Sequence, residues 1–241
     1  MGTDGTRTAA VPPPPWRRGT DKPVRQQLGV PAIVAAAMRI MDREGLDAVS
    51  MRRVAQELGT GAASLYQHVR NKRELHELIL DEVFRDLDVP EPDPTRWQQQ
   101  LKDLCLDLTR IMLAHPGAAK IGMETLIPTT PGVLVGMDAM MGYMRVGGVP
   151  DHLIAKACDP LALMGTAFAY EASLWTTSAA GRAEAHRRID EIEAYLDSLP
   201  HEQLPHLTAL RKQIRDEDDG WANFELGIDI FIAGLATYAT R

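Results

Sequence analysis

Apolar residues recur along most of this chain at intervals of three and four, the spacing that covers one side of a helix and leaves the other to water. The first such stretch, residues 31–44, puts Ile33, Ala36, Ala37, Ile40 and Met41 on one face. Pro31 suits its first turn and Gly45 the position after its end. Ser50 is the expected N-cap of a second, short helix that buries Met51, Val54, Ala55 and Leu58 and stops at Gly59. After a Gly59-Thr60-Gly61 turn, a third helix is predicted over 62–68. Asn71, with Glu74 three residues on, reads as the capping pair of a fourth helix reaching about Leu87.

Prolines at 90, 92 and 94 interrupt the pattern and mark a connection between domains. Beyond them one helix buries Trp97, Leu101, Leu104, Cys105, Leu108 and Ile111, and another carries Val133, Met137, Met140, Met141 and Met144. A third is expected from about Asp151 to Ala179, kinked at Pro160, where the ring removes a backbone donor and crowds the preceding turn. Residues 182–219 are charged and contain Pro200 and Pro205, so shorter, mobile helices are expected there. A last helix, 221–238, buries Phe224, Ile228, Phe231, Ile232 and Leu235. Few stretches alternate apolar and polar residues, so the predicted fold class is all-α.

Composition adds bounds. With 241 residues and 45% hydrophobic content the chain can bury a full core. No apolar run approaches the ~18 residues of a membrane span, and no secretory-signal stretch opens the chain, so neither a membrane partner nor export is expected. Cys105 and Cys158 fall inside predicted helices, without the spacing of a metal or redox motif, which fits a reduced cytoplasm. Residues 1–27, with Pro12 to Pro15, form a Pro-rich basic arm expected to be flexible. The expected organisation is this arm, a domain at 28–75 and a larger one at 76–241.

Net charge, −7, hides an asymmetry. Residues 1–73 hold 12 Lys and Arg against 6 Asp and Glu, and residues 74–241 hold 14 against 27. A basic end on an acidic body can orient a protein toward phosphate. Residues 50–70, SMRRVAQELGTGAASLYQHVR, have the makings of a helix-turn-helix. Val54, Ala55, Leu58 and Leu65 would form its small core, while Arg52, Arg53, Ser64, Tyr66, Gln67, His68 and Arg70 point outward as donors. A helix fits the major groove, and flanking cations and hydroxyls hold phosphates.

Residues 46–75, LDAVSMRRVAQELGTGAASLYQHVRNKREL, with AAAMRIMDREG before them, closely resemble the DNA-binding segment of the TetR family of repressors. The resemblance implies DNA contacts by Tyr66, His68 and Lys72 of the L-Y-x-H-V-x-N-K string, by Arg52 of the second helix, and by Ser64 of the recognition helix. Gln67, exposed beside them, is a further candidate for base readout. Lys72 opens the fourth helix, where its ammonium and the helix N-terminus can face one phosphate. Residues 224–235 resemble the closing helix of tetracycline-repressor-like C-terminal domains, which implies a homodimer through a four-helix bundle. The resemblance further implies a repressor on palindromic operator DNA, released when a small-molecule effector shifts the fourth helix, on which His76, Leu78 and Ile79 lie.

Seven of the eleven methionines fall between 112 and 164. Methionine is flexible and polarisable and suits an adaptable apolar pocket. Met112, Met137 and Met141 are therefore candidate ligand contacts, as are Phe168, Glu171 and Trp175, a carboxylate between two aromatics on one helix face. His115 and Tyr143 are weaker candidates. Magnesium–tetracycline is not the expected ligand. The histidine that follows a Gly-Ala-Lys string in the tetracycline repressor is absent here, where Lys120-Ile121 is followed by Gly122, and Asp88 occupies the position of a second drug-contacting histidine. Thr125 loosely matches a pocket threonine. No cofactor is expected and no metal cluster. Without a phosphate loop or a nucleophile–base arrangement, the chain is not expected to be an enzyme. The alternative is a ligand-independent or architectural DNA-binding protein.

Overall fold

The computed structural model describes residues 28–125, 130–176, 179–200, 202–214 and 220–239; the expected N-terminal arm lies outside them. Eleven α-helices and one 3₁₀ turn follow in order among these residues. They are α1 (Val30–Glu44), α2 (Met51–Glu57), α3 (Ala62–Leu65), α4 (Lys72–Val83), α5 (Trp97–Ala114), α6 (Pro116–Glu124), α7 (Pro131–Val146), α8 (Asp151–Thr176), α9 (Ala179–Ser198), α10 (Pro205–Ile214) and α11 (Trp221–Ala236). The 3₁₀ turn, Leu46–Ala48, joins α1 to α2.

The local signals near the N-terminus work as expected. Ser50 Oγ accepts from Arg53 N at 3.1 Å, and Asn71 Oδ1 from Glu74 N at 2.9 Å. Half of the second cap is rerouted: the Glu74 carboxylate takes the backbone N–H and the Nε of Arg70. Two helices are shorter than predicted. α3 ends at Leu65 instead of His68, and residues 66–68 continue as a tight turn in which His68 N and Val69 N both donate to Leu65 O at 2.9 Å. α4 ends at Val83 instead of Leu87, and Arg85 N and Leu87 N close i→i+3 bonds beyond it. The opposite correction holds in the charged stretch, where α9 runs 20 residues before the break at Pro200. α8 continues through Pro160 for 26 residues.

Two clusters of buried side chains make the core. One holds Ile33, Ile40, Val54, Leu65 and Val69 of the N-terminal helices together with Leu75, Ile79 and Leu80 of α4, and reaches Met112, Ala118 and Ile121. The second joins α5, α7, α8 and α11 around Leu101, Met140, Tyr143, Met144, Leu161 and Ile228. The first cluster bridges the N-terminal helices to α5 and α6, so α4 belongs to both halves of the molecule. α6 also crosses α1 closely at Gly117, where a Cβ would fall 2.4 Å from Met41 Cγ and Sδ.

α5 buries more than one face: Leu106, Thr109 and Met112 join Leu101, Leu104 and Cys105, while Leu108 and Ile111 are only half-buried. It packs against α6, α7, α8 and α11, and a helix surrounded on several sides hides a wider stripe than an amphipathic one. In α11, Phe224, Ile228 and Ile232 are buried, whereas Phe231 and Leu235 are half-buried. Tyr143 Oη donates to Pro90 O at 2.8 Å, tying the proline-rich connection onto α7. None of the described helices is long and apolar enough to cross a membrane.

Candidate nucleic-acid interface and internal cavity

α2, the glycine turn, the residues after α3 and the start of α4 leave several donors exposed. Gly59, at φ +62°, makes the turn, and Thr60 N donates back to Ala55 O at 2.9 Å. Leu65 and Val69, both fully buried, pin the short α3 and the turn after it. The intervening residues are thereby forced outward: Tyr66 is 54% exposed, and Gln67 and His68 are exposed with it. Ser64 is half-buried; Arg52 and Lys72 are exposed.

Ion pairing divides the basic residues of this region. Arg53 reaches Glu44 and Glu57 through three hydrogen bonds of 2.6–3.2 Å, and Arg43 binds the same two carboxylates. Arg70 pairs with Glu74. Arg52 and Lys72 make no ion pair among the described residues, which leaves their charges available to an anionic partner. The outward set read from the sequence therefore contains two arginines, Arg53 and Arg70, whose charge is already matched within the fold.

The arginine–glutamate cluster also clamps α1 to α2. Hydrogen bonds from Arg53 and then Arg43 hold the Glu44 carboxyl at about 2, below its ordinary 4.5. A depressed carboxyl stabilises the fold above its unfolded value and loses that contribution as it is protonated. The clamp is thus complete above about pH 4.5 and released as pH falls toward 2. Glu44→Gln is expected to flatten the acid dependence of the melting temperature over that window, followed by circular dichroism. An unchanged profile would show that the Glu44 carboxylate contributes nothing.

A cavity of about 120 Å³ lies between five helices. α5 supplies Cys105, Leu108, Thr109 and Met112, and α7 supplies Val133, Gly136, Met137 and Met140. α8 adds Leu161, Ala162, Gly165 and Thr166, and α6 adds Gly122. Leu80 and Phe84 at the C-terminal end of α4 complete the wall. The polar groups are few and already occupied. Thr109 Oγ1 donates to Cys105 O at 2.8 Å, and Thr166 Oγ1 to Ala162 O at 2.9 Å. Burial pushes the Cys105 thiol up to about 12, so it stays protonated. No wall residue carries a charge at neutral pH, and the chamber favours an uncharged, largely apolar occupant.

Of the ligand contacts expected from sequence, Met112 and Met137 are in this wall. Met141 is half-buried outside it, and its neighbour Met140 takes the inward position. Phe168, Glu171 and Trp175 do not line the cavity. Along α8 the inward residues come earlier, at 161, 162, 165 and 166, and the helical rotation carries 168 toward α11. There Phe168 stacks on Phe224 with centroids 4.6 Å apart and meets Trp221 edge-on at 5.9 Å. Glu171 and Trp175 are exposed. His115 lies 3.2 Å from Asp42 Oδ1 on α1, and Tyr143 is buried under the connection, both away from the cavity wall. Gly122, which the resemblance sets against the tetracycline repressor's histidine, has little room, since a Cβ there would fall 3.0 Å from Thr166 Cγ2. Asp88 is exposed, and Thr125 Oγ1 donates to Ile121 O at 2.7 Å, neither in the wall. Thr109 was the missed signal: a threonine on an otherwise apolar buried stripe marks a polar spot in a cavity wall.

Polar contacts tie the helices around the cavity to one another and to the N-terminal helices. Asp81 Oδ1 on α4 accepts from Gly132 N on α7 at 2.8 Å. Lys120 Nζ on α6 pairs with Asp47 in the 3₁₀ turn at 2.7 Å. His76, on the α4 face toward α6, has a buried Nε2 with no hydrogen-bond partner among the described residues, and burial together with Lys72 lowers its pKa.

Known proteins share both halves. Residues 33–79 match the family model of bacterial regulatory proteins of the tetR family, and residues 89–239 match the tetracyclin repressor-like C-terminal domain. The structure of the TetR family protein ActR from Streptomyces coelicolor in complex with actinorhodin superposes with a TM-score of 0.80 at 44% identity, covering 90% of this chain and 99% of that one. The repressor DrrR1 of Streptomyces coeruleorubidus is 35% identical over 126 residues, 52% of this chain and 46% of that protein, so the match spans about half of the relative. The class D tetracycline repressor of Escherichia coli is 26% identical over 87% of this chain and 89% of its own length. The chain therefore belongs to the TetR family of DNA-binding transcriptional regulators, which are not enzymes.

Proposed function

We propose that this protein is a repressor that binds palindromic operator DNA as a homodimer and is released by an uncharged, largely apolar effector occupying the cavity. The observation that carries this reading is the shared use of α4. Its first residue, Lys72, stands at the donor surface, while Leu80 and Phe84 near its other end form part of the cavity wall. An occupant that moves Leu80 or Phe84 moves the whole helix, and Lys72 with it. Arg52, Ser64, Tyr66, Gln67, His68 and Lys72 are the proposed DNA-facing residues. The location proposed with this function is the cytoplasm.

The dimer reading rests on exposed apolar side chains that one copy leaves uncovered. Leu163 and Leu174 on α8 and Leu226 and Ile230 on α11 are 52–65% exposed. Such residues on two neighbouring helices suit a two-fold interface, and a two-fold dimer matches a palindrome. ActR, a TetR family protein solved with actinorhodin bound, supports a small-molecule effector here, and actinorhodin is the first compound to try.

Linkage supplies the test. If effector and DNA favour different states, each must weaken the other by the same factor. N-phenyl-1-naphthylamine, a neutral aromatic amine that fluoresces in apolar sites, is titrated into the full chain with and without saturating DNA from the flanks of its own gene. Weaker probe binding in the presence of that DNA is expected. Equal affinity would leave a DNA-binding protein that no cavity ligand regulates, the architectural alternative.

A further inference from the structure

Three glycines from three helices face the cavity: Gly122, Gly136 and Gly165. Close packing accounts for two of them. A Cβ on Gly165 would fall 2.5 Å from Thr109 Oγ1, and one on Gly122 would fall 3.0 Å from Thr166 Cγ2. Gly136 is different. Its Cβ would meet Leu87 Cδ2 at 3.5 Å and the Leu108 methyls at 3.7 and 3.8 Å, all ordinary contacts. Its φ is not positive. It lies well inside the 16-residue α7, where glycine disfavours the helix because its backbone loses the most freedom on folding. Neither conformation nor packing requires glycine here, and the helix would gain from alanine. What remains is the room left by the missing side chain, and that room is cavity.

We propose that Gly136 is a specificity-determining residue. It keeps open the part of the cavity beside Leu108, and so sets how broad a neutral, ring-bearing effector can be. The proposal rests on the cavity being the effector site. At about 120 Å³ the chamber approaches the ~150 Å³ apolar cavity that accepts benzene, so it seats roughly one aromatic ring. A larger effector has to extend past the exposed Ala162, and held at that mouth its inner ring cannot draw back from a methyl on Gly136, whereas a free single ring can shift away from it. The wall beside Gly136 is hydrocarbon, while Thr109 and Thr166 stand on other helices, so the inserted ring edge carries no polar substituent on the Gly136 side.

Full-length parent, Gly136→Ala and Gly142→Ala are compared by fluorescence titration with N-phenyl-1-naphthylamine and by competition with phenol, a single ring. Gly142 is a control on the same helix, outside the cavity wall, whose Cβ would meet Pro92 Cγ at 3.5 Å. Both variants are expected to melt no lower than the parent and to bind DNA as the parent does. Gly136→Ala alone should lose tenfold or more in affinity for N-phenyl-1-naphthylamine and less than threefold for phenol. Parent-like binding by Gly136→Ala overturns the proposal and leaves the effector-site reading standing. An equal loss in both variants, or a Gly136→Ala chain that melts below the parent, overturns it in favour of a helix-packing role. A parent that takes up neither probe overturns the effector-site reading and the role of Gly136 with it.

Discussion

Leu65→Ala is expected to remove about 2–5 kcal/mol of stability from the N-terminal half and to abolish specific DNA binding. α3 has four residues, far too few to hold a helix by its own hydrogen bonds. Its position depends on Leu65, which is fully buried among the side chains of α1, α2 and α4. Truncation leaves a cavity beneath the reading helix and frees Tyr66, Gln67 and His68 to wander. Thermal melts and DNA titration on the same samples check both halves of the expectation. A variant with parent stability and parent affinity would mean that Leu65 does not anchor the helix.

Lys72→Ala and Tyr66→Phe are expected to weaken DNA binding without lowering the melting temperature, because both side chains are exposed. A lost contact is expected to cost about 1–3 kcal/mol per subunit, and two subunits on one operator feel it twice. Lys72→Ala should also make the slope of log affinity against log salt shallower by roughly one for each phosphate contact removed. Tyr66→Phe should weaken binding without that change, since it deletes a hydroxyl and no charge. Unchanged affinity in both variants would remove these residues from the DNA surface.

The division between what the sequence disclosed and what it withheld has physical causes. α1 and α2 were legible because their signals are local: a helical stripe of small and aliphatic residues, Pro31 and Ser50 at the starts, and glycines at the stops. α3 was overextended because residues 66–68 keep helix-compatible side chains while their backbone closes a tight turn on Leu65. Arg53–Glu57 and Arg70–Glu74 have the i,i+4 spacing that permits pairing, but the choice between solvent, phosphate and a neighbouring carboxylate depends on geometry. Glu44 is nine residues from Arg53 and belongs to another helix.

The cavity was legible only in outline. A methionine-rich segment pointed to the right helices, and Met112 and Met137 do face inward. The exchange of Met141 for Met140 turns on about 100° of helical rotation, which periodicity alone leaves loose when α7 carries apolar residues on several faces. Phe168, Glu171 and Trp175 share a face of α8, as their spacing requires, but that face passes α11 and then solvent. Leu80 and Phe84 could not have been assigned to the wall from sequence, since both also read as ordinary core residues of α4.

The most direct test of the central claim is an anisotropy titration of the full-length protein onto DNA flanking its own gene, at several salt concentrations, with random DNA as the comparison. Affinity for the flanking DNA at least ~10³-fold above random, with a steep fall as salt rises, is the predicted result. Equal, weak binding to both DNAs would contradict a sequence-specific repressor acting at its own locus.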